Sequence, residues 1–290
     1  MRNQSLYAVL IIDLKRSKRY SAEYRSDIQS FIFRTIRCLN NIFYESLIRE
    51  VDFSAGDELQ GLFTSSQAAF LYYRFFNLII SPIRIRAGIG VGTWDVVIDD
   101  AGTTAQDGVA YHRARYAIET TEREAFGYNI LFNSGKNTDS LINSTINTSS
   151  IIIEKNSYRQ NFIMLLTELM YPITCEDIVD LYKLDVIIYD LIQQKQDLLI
   201  ERKPYNYMST EKRPLEYNIG HIELIKPIDA YSYDNDFFIN SAAQMRGFRT
   251  IIADVLNITR QGTYNSIRSS NLFEERNATI TTLRMMNIFS

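Results

Sequence analysis

Hydrophobic and polar positions recur along this chain with two periods, and each change of period marks an element. Tyr7–Ile12 is an unbroken apolar run of strand length, suited to a central strand buried on both faces. Ile28, Phe31, Ile32, Thr35, Ile36, Leu39, Ile42 and Phe43 then recur every three or four residues, which predicts a long amphipathic helix. Two short strands are expected around Val51–Phe53 and Leu59–Phe63, joined by Gly56-Asp57-Glu58, a hairpin-turn composition. Ser65 or Ser66 is placed to cap a helix running through Phe76. Ile83, Ile85, Ala87, Ile89 and Val91 alternate with Arg84, Arg86, Gly88 and Gly90 and predict a fourth strand. A helix from about Val109 to Ala125 and a strand at Ile130–Phe132 follow.

The order strand, helix, strand, strand, helix, strand predicts an α+β fold of the ferredoxin-like, palm type, a sheet backed by helices on one face. Asn133–Ser150 holds twelve Asn, Ser or Thr in eighteen residues without a sustained apolar period, so it is the expected linker. Beyond it, Ile163–Met170 and Ile178–Ile192 read as helices, Lys203-Pro204 to Arg213-Pro214 as a loop, and Phe238–Ile288 as a compact helical unit. The expected division is a palm domain over 1–137, a polar linker over 138–150, a helical connecting region with a loop over 151–237, and a helix-turn-helix-like domain over 238–290.

At 290 residues, 46% hydrophobic and 12% aromatic, the chain has ample material for buried cores, which excludes a disordered or fibrous protein. No apolar run approaches the roughly 20 residues that a membrane-spanning helix needs. Asp13, Lys15, Arg16, Lys18 and Arg19 directly follow the first apolar run, against a secretory signal. Cys38 and Cys175 have no companions at metal-ligand spacing. A cytoplasmic protein with no membrane partner is expected. The net charge of −3 divides into +1 over 1–137, −7 over 138–239 and +3 over 240–290, so any nucleic-acid contact is expected to be confined to the C-terminal segment.

One constellation in the first half points to chemistry. Asp13 closes the first strand and Asp57 sits in the hairpin between the second and third. In the expected topology, the two carboxylates meet at one edge of the sheet. Like charges at close range disfavour joint ionisation unless a cation lies between them. A hard ion with oxygen ligands, Mg²⁺ or Mn²⁺, answers that need, with Glu58 as the natural third carboxylate. Such an ion keeps phosphate oxygens and water in its other positions, which points to a nucleoside triphosphate. The competing reading is a plain polar hairpin turn beside a strand-end residue. No P-loop motif is present, and His112 and His221 lack the companions of a catalytic triad.

Four motifs, in order, carry a resemblance: Ile12-Asp13 followed by Ser17; Gly56-Asp57-Glu58-Leu59-Gln60-Gly61-Leu62; Arg86-Ala87-Gly88-Ile89-Gly90-Val91-Gly92; and Asp107-Gly108-Val109-Ala110-Tyr111-His112-Arg113-Ala114-Arg115. Over roughly residues 5–132 the chain resembles the SatD family and the wider superfamily of class III nucleotidyl cyclase and GGDEF palms. The resemblance implies metal ligation by Asp13 and Asp57 and nucleotide contacts at Ser17, Gly56 and Gly108. It also implies catalytic roles on one helix face for Tyr111 and Arg115. In class III cyclases an Asn orients the ribose, and four residues later an Arg stabilises charge on the transferring phosphate; Arg115 matches the second position, whereas Tyr111 replaces the Asn. Ala55 before Gly56-Asp57-Glu58 and Leu59 after it likewise depart from Gly-Gly-Asp-Glu-Phe. For Arg115 a salt bridge to Glu119, one turn on, is the structural alternative. Gly88, Gly90 and Gly92 share one strand face, open to a ligand or a packed helix.

Ile251–Arg268 resembles a helix-turn-helix. Ala253 is small where two helices would cross, Asn257 suits the tight turn, and Thr259 can cap the next helix. If the segment binds duplex DNA, Arg260, Gln261, Tyr264, Asn265 and Arg268 face the groove or the phosphates. The alternative is a packing module. A homodimer would be needed for useful affinity. Three functional readings follow: a metal-dependent nucleotide sensor coupled to a DNA-binding module, an active nucleotidyl cyclase or transferase, and a degenerate palm serving as a protein-interaction scaffold.

Overall fold

The computed structural model describes residues 5–15, 22–123, 128–184, 190–195, 217–218, 222, 224–232 and 245–289. At its centre is a five-stranded mixed sheet in the order β2-β3-β1-β4-β5, built from β1 (Tyr7–Leu14), β2 (Leu47–Ala55), β3 (Glu58–Phe63), β4 (Ile85–Gly92) and β5 (Ile130–Asn133). β1 lies between β3 and β4 and is antiparallel to both, whereas β5 runs parallel to β4. The fold is therefore α+β, as the hydrophobic periods predict.

The alternation of side chains along each strand sorts the helices onto two faces. Ala8, Leu10 and Ile12 of β1 and Ala87, Ile89 and Val91 of β4 join the main core with α1 (Ala22–Ile42) and α2 (Ser66–Ile80). Val9 and Ile11 point the other way and pack with Ala110, Tyr111, Ala114 and Ile118 of α3 (Val109–Arg123). Helices on one face only was thus the wrong expectation. The cause is in β4. Cβ atoms built at Gly88 and Gly90 would lie 2.4 Å from Ala114 O and 2.1 Å from Ala114 N, so the two glycines let the α3 backbone rest directly on the strand.

A helix also replaces the expected linker. α4 (Asp139–Lys155) buries Ile142, Ile146 and Ile153 at helical spacing, and its Ser and Thr hydroxyls fold back on the preceding turn. Ser144 Oγ and Thr148 Oγ1 donate to the carbonyls four residues earlier at 2.8 and 2.9 Å. Asn143 finishes the sheet edge: its side chain accepts from Phe132 N at 2.7 Å and donates to Phe132 O at 2.8 Å. Polar composition misled here because these side chains satisfy the backbone and one another.

α5 (Tyr158–Met170) starts in a capping box made by Ser157 and Gln160. A short parallel pair, β6 (Ile173–Thr174) and β7 (Ile228–Asp229), follows it. The expected loop at 203–214 lies outside the described residues, as does part of the expected helix at 178–192. The chain ends in α6 (Phe248–Val255), α7 (Arg260–Ser269) and α8 (Leu272–Phe289). Asn257 between α6 and α7 has φ +47°, and the Thr259 side chain accepts from Gly262 N at 3.0 Å to cap α7. These helices share one apolar cluster with the sheet, α1 and α2.

Candidate functional site

The end of the sheet where β1 stops and the β2–β3 hairpin turns collects six charged side chains. Register places Asp13 opposite Glu58 on β3 and opposite Arg86 on β4. Arg86 donates from Nε to Asp13 Oδ2 at 2.7 Å, its Nη2 lies 2.5 Å from the same oxygen, and its Nη1 lies 3.1 Å from Glu122 of α3. Arg115, also on α3, forks onto both oxygens of Glu58, with Nη2 to Oε1 at 2.8 Å. Ser54 Oγ donates to the same carboxylate at 2.7 Å. Asp57 sits in the turn beside Gly56, whose φ of +65° favours a residue without Cβ.

Protonation equilibria at this end follow from burial and charge. Burial pushes the Asp13 carboxyl above its ordinary value, the negative charges of Asp57 and Glu58 add to that, and Arg86 opposes it. Burial also acts to raise Glu58, but its hydrogen bonds from Arg115 and Ser54 outweigh it and hold the group below the ordinary range. Arg115 therefore belongs to Glu58. The expected partner Glu119 lies 3.4 Å from Arg123 instead.

Asp13, Asp57 and Glu58 come to one sheet end, but not as a ready three-carboxylate cage. Among the described residues no group of three or more His, Cys, Asp or Glu side chains is arranged to hold a metal ion. Asp13 is engaged by Arg86, and Glu58 by Arg115 and Ser54. Asp57 lies close enough for its charge to act on Asp13, but Asp13 Oδ2 is already held by two nitrogens of Arg86. Glu122 gives Arg86 a second carboxylate to hold if Asp13 is taken by a cation.

The remaining expected residues fall as follows. Tyr111 is buried, 7% exposed, in the apolar cluster between α3 and the sheet, with Thr103 beside its hydroxyl. Gly108 N donates to its neighbour Asp107 Oδ1 at 2.8 Å, and a Cβ at Gly108 would meet Thr93 O at 2.5 Å, so the glycine serves a tight backbone approach at the start of α3. Ser17 and His221 lie outside the described residues. His112 is exposed, with Nε2 3.4 Å from Asp107.

At the C-terminal end, Arg260, Gln261, Tyr264, Asn265 and Arg268 are all exposed on α7. Gln261 Nε2 donates to Asn265 Oδ1 at 3.2 Å, and the Arg249 guanidinium of α6 lies 6.0 Å from the Tyr264 ring centre. Arg249, Thr250, Arg260, Gln261 and Tyr264 line a shallow concavity.

Two features escaped sequence reasoning. Arg86 was noted as a polar position of an alternating strand and within a resemblance motif but given no role, and register sets it against Asp13. The second is a buried ionic quartet. Arg74 of α2 contacts Glu275 of α8 and lies 2.7 Å from Glu168 of α5, and Arg276 of α8 binds Glu168 and the Tyr171 carbonyl, each at 2.5 Å. No local pattern signals a contact between residues so far apart in sequence.

The chain belongs to the SatD family, whose match spans residues 7–183, more than half of its length. No curated protein and no solved structure matches it. No helix among the described residues is long and apolar enough to cross a membrane.

Proposed function

We propose that this protein is a cytoplasmic regulator in which a cyclase-like palm binds a nucleoside triphosphate with Mg²⁺ or Mn²⁺, and a helix-turn-helix formed by α6 and α7 binds duplex DNA. The observation that carries the nucleotide half is the convergence of Asp13, Asp57, Glu58, Arg86 and Arg115 at one sheet end. Asp13 and Asp57 supply oxygen donors for the cation. Arg86 and Arg115, released from their carboxylates, supply guanidiniums suited to phosphate oxygens. Binding is then an exchange of partners: metal replaces arginine on Asp13, and phosphate replaces carboxylate on Arg115.

Sensing is favoured over cyclisation because the Tyr111 side chain is buried among apolar groups, where it cannot take the part of a ribose-orienting Asn. The DNA half rests on the exposed Arg260, Gln261, Tyr264, Asn265 and Arg268 of a short capped helix that follows a left-handed turn. A dimer would place two such helices on one duplex.

The test incubates the protein with each ribonucleoside triphosphate and Mn²⁺, beside an Asp57→Asn control, following binding by equilibrium dialysis and products by mass spectrometry. Saturable binding of unchanged triphosphate, lost in the control, is the expected result. A cyclic or linked product would establish the enzyme instead, and no binding at any concentration would leave the scaffold. For the second half, duplex affinity should fall steeply with salt and weaken in Arg260→Ala and Arg268→Ala.

A further inference from the structure

Asp13 stands on the side of β1 that faces α3, two residues beyond Ile11, and Arg86 stands opposite it on β4, two residues before Gly88. Because Gly88 and Gly90 let the α3 backbone lie on the strand, Arg86 meets the last turn of that helix, where Glu122 lies. The guanidinium divides its nitrogens between two carboxylates. Nε and Nη2 both hold Asp13 Oδ2, at 2.7 and 2.5 Å, while Nη1 holds Glu122 Oε1 at 3.1 Å.

The two holds differ in strength. The Asp13 side chain is 18% exposed and that of Glu122 62%, so water screens the second pair far more than the first. Arg86 therefore resides on Asp13, with Glu122 as a weaker partner that it already touches. A guanidinium and a divalent cation crowded onto one carboxylate oxygen repel each other, so an ion reaches Asp13 only as Arg86 leaves. The other acids on this side are taken: Arg115 holds Glu58, and Arg123 lies 3.4 Å from Glu119. Among the described residues, Glu122 is the one carboxylate besides Asp13 with an ion pair to Arg86.

We propose that Arg86 is the resident counter-ion of Asp13 and closes it to a divalent cation, and that Glu122 is the positioning residue that takes Arg86 over when Asp13 opens. The inference rests on the cation half of the reading above and adds its control. Ion affinity is set by a contest between metal and arginine for one carboxylate, with Glu122 acting on the side of the metal. An ion that arrives with a polyphosphate is favoured over the bare ion, because phosphate oxygens also draw Arg86 away from Asp13.

The experiment uses the full chain without nucleotide or DNA, titrated with Mn²⁺ into the millimolar range, with free ion read by electron paramagnetic resonance. Wild type should bind weakly. Arg86→Ala should bind about tenfold more tightly, the scale of removing one charge-assisted competitor, and the gain should vanish when Asp13→Asn is added. Glu122→Gln should weaken the ion about threefold in wild type, the scale of an exposed ion pair, and change nothing in Arg86→Ala, where no arginine is left to receive. A Glu122 that touched the ion itself would weaken binding equally in both backgrounds, and that result overturns its positioning role. So does an unchanged affinity in Glu122→Gln, or a wild type that takes no ion while Arg86→Ala does. If both proteins bind and Arg86→Ala is no tighter, or its gain survives Asp13→Asn, the closure falls and the cation reading stands. If neither binds, the cation reading falls with it. Arg86→Gln, which keeps a donor for Asp13 without the charge, replaces Arg86→Ala if that variant does not fold.

Discussion

Arg74 on α2 grips Glu275 on α8, 201 positions later in the chain, with Nε to Oε1 at 2.9 Å and Nη2 to Oε2 at 2.8 Å, and both side chains are almost entirely buried. Ser149 and Thr279 add hydrogen bonds to Glu275 Oε1 at 2.8 and 3.0 Å, and Ile173 N donates to Glu168 at 2.7 Å. Two arginines and two glutamates thus form a neutral cluster that pins the last helix to a helix of the sheet layer. The C-terminal helices are not a separate bead on a linker. The cluster ties α8 to α2 and α5, and α7 precedes α8 directly.

Breaking this cluster on one side should be severe. Arg74→Met leaves Glu275 buried without its principal counter-charge, a change expected to cost about 3–5 kcal/mol. Replacing Arg74 and Glu275 together by apolar residues of similar volume should recover much of that loss, because no unpaired charge remains between them. Urea unfolding of the single and double variants measures both; equal loss in the two would show that shape, rather than charge, holds α2 to α8.

The Arg115–Glu58 fork makes a prediction in pH. Burial acts to raise Glu58, but its bonds to Arg115 and Ser54 hold its folded value below the unfolded one, so the group adds stability above its unfolded value, and that contribution is lost as pH falls through the folded value. In Arg115→Ala, Glu58 should titrate at higher pH, observable by carboxyl NMR. The stability deficit should be present at neutral pH and shrink on acidification. Arg115 is 44% exposed, so solvent screening keeps that deficit below about 1 kcal/mol. If Mn²⁺ binds at Asp13, the Asp13 carboxyl, which starts above its ordinary value, should move down on adding the ion.

Packing between β4 and α3 gives a sharper test. A Cβ at Gly90 would lie 2.1 Å from Ala114 N and 2.2 Å from Ala110 O, both main-chain atoms that cannot turn aside. Gly90→Ala should therefore push α3 off the sheet and cost about 4 kcal/mol or more, beyond the usual range for a point substitution. At Gly56, with nothing within 4 Å, only the backbone angle resists a side chain. Gly56→Ala should cost about 1–2 kcal/mol. Thermal unfolding of the two variants should reproduce that order.

What the sequence made legible depended on the range of the interaction. The β2–β3 hairpin, the cap at Ser65 and the cap at Thr259 are set within a few residues, and the periods exposed them. The side of the sheet that α3 covers was hidden, because glycines give no hydrophobic signal even where a helix lies on them. α4 was hidden because Ser, Thr and Asn mimic a loop composition while bonding to their own helix and to β5 and α8; Thr282 Oγ1, for instance, donates to Thr145 Oγ1 at 2.9 Å. At the candidate site the topology placed Asp13 and Asp57 near one another, yet the arginines that neutralise Asp13 and Glu58 come from β4 and α3. The register of the folded sheet brings Arg86 there, and the packing of α3 on β4 brings Arg115.

Lys195 carries the last prediction. Its side chain is 2% exposed, its Nζ has no hydrogen-bond partner among the described residues, and the Tyr158 ring lies 5.1 Å away. Burial lowers its pKa from 10.5 to about 7. A base depressed in the folded state favours folding at pH above its unfolded value and loses that support as pH falls through the folded value. Stability should therefore fall as pH is lowered from about 10.5 toward 7, so far as this group decides it. Lys195→Met keeps most of the apolar stem and removes the amine. The variant should be more stable than wild type near pH 7 by a few kcal/mol, about 1.4 kcal/mol for each unit of depression. The gain should shrink toward zero as pH approaches 10.5. Chemical unfolding of both proteins at several pH values gives the curve; a gain that does not vary with pH would mean that Lys195 stays charged in the folded state.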